Sequence, residues 1–116
     1  MGFRVLAQDA WVAPVDAKKI INPYDGNQIA SQKGGVLFQK LCWTCHGKVG
    51  LGDGPAAKAL NPKPKNFTLK SVQAQSDGEL FWKISNGNGM MIPYKHSLSE
   101  EQRWQLVNFI RSFKEK

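Results

Sequence analysis

The residues Cys42-Trp43-Thr44-Cys45-His46 have the types and the spacing to do chemistry together. Two thiols three positions apart, with an imidazole directly after the second, have three uses. They can hold a zinc ion, run a thiol–disulfide cycle, or fasten a haem. The chain has no other cysteine, so a bond between these two would close a tiny loop and staple nothing distant. The pair serves local chemistry.

The remaining sequence separates the three uses. Structural zinc takes four N or S ligands in a tetrahedron. The chain offers only Cys42, Cys45, His46 and His96, and has no second CxxC. A histidine adjacent to an already fixed cysteine is awkwardly placed for the same ion. A thiol–disulfide site wants its CxxC at a helix N-terminus, where the helix dipole lowers the thiol pKa. Here the order is reversed, with the helical apolar stripe Val36, Leu37, Phe38, Leu41 running into Cys42 and a glycine-rich loop following His46. Haem attachment uses every residue of the motif. Each thiol adds to a vinyl group of the porphyrin edge as a thioether, and His46 offers its imidazole to the iron.

A six-coordinate iron needs a second axial ligand from distant sequence, for which Met90, Met91 and His96 are the candidates. Methionine often only fills irregular gaps. Yet Met90 and Met91 sit in the polar, glycine-rich stretch SNGNGMMIPY, an odd place for two apolar side chains unless one meets a metal. His96, between Lys95 and Ser97, reads as a surface histidine.

These residues need elements to position them. The 116 residues suit one domain. Residues 8–31 carry Pro14, Pro23 and the turn signal Asp25-Gly26, so residues 1–31 read as an extended N-terminal arm, pinned by Trp11 and Tyr24. Within it, residues 1–7 resemble the end of an export signal or a tag, with an ordinary N-terminus as the alternative. A first helix is expected over 32–44, where Gly34-Gly35 suggests close approach of another backbone. Pro55 suits the first turn of a short helix, PAAKAL. Ser76 with Glu79, and Ser99 with Gln102, match capping boxes that open helices over about 77–85 and from 99 to about 113. Four short helices with so much loop leave a thin core, which a covalently tethered cofactor would fill. No run of apolar residues is long enough for a transmembrane segment.

Sixteen Lys and Arg against nine Asp and Glu give a net charge of +7. Residues 33–70 hold seven lysines against Asp53 alone, so nearly all the excess lies around and just after the motif. Such a field attracts nucleic acid, anionic lipid or an acidic protein face, unless it is a solvated lysine surface.

The segments GVLFQKLCWTCHG, GDGPAAKAL and WKISNGNGMMIPYKHSLSEEQRWQLVNFIRSF together resemble a class I c-type cytochrome of the small bacterial monohaem type, from Gly34 to Phe113. The resemblance implies an all-α cytochrome c fold of about four short helices over residues 32–116. It implies one haem c with its iron, covalent through Cys42 and Cys45, with His46 and Met91 as axial ligands. Met91 lies two residues after Gly89, as the family's ligand does, but Ile92 stands where its proline is expected, which leaves Met90 in play. Gly34, Phe38 and Phe109 match positions where the family's first and last helices cross. A proline carbonyl commonly holds the ligand histidine, and Pro55, Pro62 and Pro64 are candidates. Phe67 and Trp82 are candidates for the haem wall, or simply for core packing.

His–Met ligation leaves no open iron position, so electron transfer is the expected function and enzymatic activity is not. The lysines predict the acidic face of a redox partner, a reductase or terminal oxidase, and an encounter weakened by salt. Maturation of haem at CxxCH outside the cytoplasm implies a periplasmic or otherwise exported protein of a respiratory chain, and excludes nucleic acid. A monomer is expected. Two alternatives stand beside this: a haem-based ligand sensor or small haem enzyme with a displaceable methionine, and an electron-relay domain of a larger oxidoreductase.

Overall fold

The computed structural model describes residues 11–61, 63–89 and 91–114. Its α-helices are α1 (Gln28–Leu41), α2 (Trp43–His46), α3 (Lys70–Gln73), α4 (Asp77–Asn86) and α5 (Glu100–Arg111), with 3-10 turns at Val15–Lys19 and Ala57–Ala59. Among the described residues there is no strand, only an isolated antiparallel bridge between Asn88 and Met91. The fold is all-α, as the sequence implies.

Helix α1 begins earlier than its apolar stripe suggests. Asn27 caps it, its Oδ1 accepting the Ala30 N–H at 2.9 Å, just after Gly26 turns the chain at φ 77°. The helix therefore starts at Gln28 rather than 32, and residue 31 lies inside it. It stops at Leu41, with Cys42 as its C-terminal cap, and α2 restarts at Trp43. Helices α4 and α5 open on the two expected capping boxes. Ser76 Oγ accepts from Glu79 N while Glu79 Oε1 accepts from Ser76 N, and Ser99 and Gln102 repeat the arrangement. Each box satisfies two otherwise orphaned groups at a helix start. PAAKAL forms only the 3-10 turn at Ala57–Ala59, with Pro55 outside it.

The most extensive helix contact is between α1 and α5. Gly34 makes it possible: a Cβ there would overlap the Gln105 carbonyl oxygen. Phe38, fully buried, sits in the core formed on this crossing together with Leu106 and Val107. The rings of Phe109 and Phe113 approach Phe38 at 5.2 and 5.6 Å between centroids.

The segment before α1 is tied down by polar contacts. Buried Asn22 donates to Asn108 Oδ1 at 2.7 Å and to Asp77 Oδ2 at 3.0 Å. Asn108 in turn donates to the Tyr24 carbonyl at 2.7 Å. Asn108→Leu removes the bonds that the Asn108 amide makes to Asn22 and to the Tyr24 carbonyl, leaving the first with Asp77 and the second with the Asn27 N–H, and each lost hydrogen bond costs about 0.5–1.5 kcal/mol. We expect a loss of about 2 kcal/mol in urea unfolding at unchanged m-value; an unaltered midpoint would mean the network is solvated.

Candidate functional site

Helix α1 ends where the motif begins, and the chain then folds back on itself. Cys42 N–H donates to the Phe38 carbonyl at 2.9 Å, and His46 N–H to the Cys42 carbonyl at 3.0 Å. The glycine-rich loop tracks antiparallel to the motif, with Gly52 N–H on the His46 carbonyl, Gly54 N–H on Cys45 and Ala56 N–H on Thr44. Glycine at 54 lets the backbones touch, since a Cβ there would collide with the Thr44 carbonyl. The loop thereby fixes where His46 points.

The His46 Nδ1 lies 3.2 Å from the Lys65 carbonyl oxygen. A carbonyl only accepts, so Nδ1 carries the proton and Nε2 keeps its lone pair. The partner is thus not Pro55 or Pro64. Pro62 lies outside the described residues. The imidazole also stacks on Phe67, with centroids 4.4 Å apart. Burial pushes the His46 pKa below its ordinary value, against the raising effect of the Lys65 carbonyl, so the ring is neutral at pH 7. Burial, with a smaller contribution from Cys45, pushes the Cys42 thiol up to about 12. Thiol–disulfide chemistry needs a depressed thiol pKa, so that reading loses ground.

Two adjoining cavities open beside the motif. One of about 670 Å³ is bordered by Cys42, His46, Phe67, Val72, Leu80, Ile84, Met91, Tyr94, Leu106 and Ile110, among others. The other, of about 1010 Å³ and like the first partly open to solvent, is bordered by Cys42, Cys45, His46, Leu41, Leu60, Met91, Ile92 and Tyr94, among others. Cys42, His46 and Met91 border both, so residues 45 positions apart in sequence meet at one place. Met91 is positioned by a tight turn, its N–H and C=O each paired with Asn88 at 3.0 Å. Gly87 permits that turn at φ 70°, where a side chain would run into the Met91 carbonyl.

Met90 lies outside the described residues, as do residues 1–7. His96 is exposed and borders neither cavity. Phe67 belongs to the wall, whereas Trp82 does not. Among the described residues no group of three or more His, Cys, Asp or Glu is arranged to hold a metal ion. Sequence reasoning missed Tyr94, buried and bordering both cavities, although an aromatic in a polar loop was the available signal. It missed the Lys65 carbonyl too, for which no residue type gives a signal.

The pattern of the family described as cytochrome c oxidase, cbb3-type, subunit III matches residues 30–110. A chain of the reducing HAO-like protein complex Kustc0457/Kustc0458 of Kuenenia stuttgartiensis superposes with a TM-score of 0.70 at 27% identity, over 77% of this chain and 46% of that one. The KustC0563 c-type cytochrome gives 0.62 at 32% identity, over 71% of this chain and 98% of its own. Cytochrome cL of the marine methylotroph Methylophaga aminisulfidivorans shares the fold, with a TM-score of 0.60 at 23% identity, over 78% of this chain and 57% of that one. The chain thus spans about half the length of the first and third. No curated protein sequence matches it significantly. The chain belongs to the cbb3-type subunit III family of cytochrome c domains, and so to the class I monohaem c-type cytochromes. Members carry haem c and transport electrons.

Proposed function

We propose that this chain is a single-electron carrier, not an enzyme, whose one haem c is held covalently by Cys42 and Cys45 and ligated by His46 and Met91. The observation that carries the reading is convergence: two thiols, a neutral imidazole and a thioether border one cavity. The donor set fits an iron porphyrin. The cavity walls are mainly aromatic and aliphatic, as a porphyrin face requires. When bound, haem c supplies a one-electron iron couple. Around it the chain does the rest. The Lys65 carbonyl fixes the His46 tautomer and leaves Nε2 free to ligate, the kind of outer contact that sets ring orientation. Met91, a neutral soft donor, favours the reduced metal and a high potential. Val72, Leu80, Ile84 and Leu106 give the first cavity an apolar wall that holds water off that face.

Lys63 and Lys65 border the cavity that Cys45 borders, and they and Lys33, Lys40, Lys48, Lys58 and Lys70 are exposed. This supports an acidic redox partner, reductase or terminal oxidase, met by a monomer in a small transient contact. No helix among the described residues is long and apolar enough to cross a membrane, and c-type maturation supports an exported, periplasmic location. A second reading, a relay domain within a larger oxidoreductase, is favoured by the neighbour drawn from a protein complex and spanned only in part.

The test is optical. Oxidised protein is expected to show the weak red charge-transfer band of methionine sulfur on ferric haem, and Met91→Ala to lose it. A band that survives in Met91→Ala would move the ligand elsewhere. Wild type without the band, taking up CO when reduced, would put a ligand sensor ahead of the carrier.

A further inference from the structure

The first of the two cavities, bordered by Phe67, Val72 and Leu80, has a polar end. Lys65, Gln75 and Lys83 border it together with the ring of Trp11, and no carboxylate borders either cavity. Lys83 Nζ donates to Gln75 Oε1 at 2.6 Å and stands 5.2 Å from the centre of the Trp11 ring. Glu79, one turn back on α4, is engaged elsewhere: its Oε1 accepts the Ser76 N–H at 2.8 Å. Among the described residues Lys83 forms no ion pair. Burial lowers the Lys83 pKa; the Glu79 carboxylate offsets part of that, and the charge on Lys65 adds to it.

Lys83 is partly buried beside an apolar cavity with no facing carboxylate, and an anion reaching it would offset that cost, with the exposed Lys65 adding its charge. Gln75 and Lys83 border only this cavity and Cys45 only the other, while Cys42, Lys65 and Trp11 border both. A ligand lying across both would run from Cys45 at one edge to the Lys83–Gln75 pair at the other. Haem has that polarity, with vinyl groups on one edge and two propionate carboxylates on another.

We propose that Lys83, with Gln75 and Lys65 beside it and Trp11 over it, receives the propionate carboxylates of the haem attached at Cys42 and Cys45. The assignment rests on the haem reading above. It brings in Trp11, which precedes the residues 30–110 matched by the family pattern, as part of the site. Lys83 acts by charge and hydrogen bonding on the carboxylates, while Trp11 limits their access to water.

The experiment uses haem-loaded wild type, Lys83→Met, Lys83→Arg, Trp11→Leu and, as an equal change of charge away from both cavities, Lys33→Met. Two readouts are taken: the propionate bending band in the resonance Raman spectrum, and the reduction potential. Lys83→Met is expected to shift the band toward that of unbonded propionate. It should also lower the potential, because a lost positive charge favours the ferric state. Lys83→Arg should restore both, and Lys33→Met should leave the band in place. Trp11→Leu should shift the band in the same direction by a smaller amount, and it decides the matter should Lys83→Met fail to accumulate. An unmoved band in Lys83→Met, or a shift equal to that of Lys33→Met, overturns the assignment. Wild type that carries no covalent haem overturns the parent reading instead.

Discussion

The double variant Cys42→Ala, Cys45→Ala is expected to keep no haem through acidified organic extraction, where wild type keeps all of it. The chain has no other cysteine, so no third thiol can substitute. Each single variant retains one thiol and should keep a reduced covalent fraction. The double variant should also lose its fixed interior. Val72, Leu80, Ile84, Leu106 and Ile110 belong to the core, yet they border the first cavity. Their packing is complete only with that space filled, because lining atoms without partners forfeit dispersion contacts. We expect retained far-UV and diminished near-UV circular dichroism with dye binding, the signature of secondary structure without specific packing. A double variant that holds haem through extraction would sink the covalent assignment. One that keeps a wild-type near-UV spectrum would show that the core needs no cofactor.

How much of this is legible in sequence depends on whether a side chain or a backbone does the work. The motif at 42–46 announces itself because the chemistry needs those side chains at that spacing. The capping boxes at Ser76 and Ser99 are equally visible, since each is a reciprocal pair of side-chain bonds at fixed offset. Gly34 is visible because absence of a side chain is itself a signal. By contrast, the histidine's partner is the Lys65 carbonyl, a group every residue owns, and expecting a proline there put it one residue past Pro64. The start of α1 is hidden because Gln28 to Lys33 lie before the apolar stripe, and only the Asn27 cap marks it. Helix α3 is four residues long, too short to show a period. Trp11 and Lys83 meet across more than seventy positions, which no local pattern carries.

Gly34→Ala is expected to cost about 3 kcal/mol, the upper end of what overpacking does, while Gly35→Ala stays within about 1 kcal/mol of wild type. The two glycines are neighbours in the same helix and gain the same intrinsic helix propensity from alanine, about 1 kcal/mol. They differ in what a Cβ would meet. At Gly34 it would overlap the carbonyl oxygen and carbon of Gln105, with the Phe109 Cβ 3.0 Å away. Two of those atoms are backbone of α5, so relief requires the helices to separate, and separation opens the crossing beside Phe38, Leu106 and Val107. At Gly35 the Cβ would meet only the ring of Phe109, at 3.0 Å or more. That ring is half-buried and can turn. In thermal melts of the haem-loaded protein a loss of 3 kcal/mol corresponds to a fall of roughly 10 °C for a domain of this size. Because α1 runs directly into Cys42, separation of α1 from α5 also displaces the motif relative to Leu106 and Ile110 on the cavity wall. Gly34→Ala should therefore weaken the charge-transfer band as well, and Gly35→Ala should not. Equal melting temperatures for the two variants would mean that the helices do not touch at Gly34, and the geometry of the site would have to be rebuilt from a different crossing.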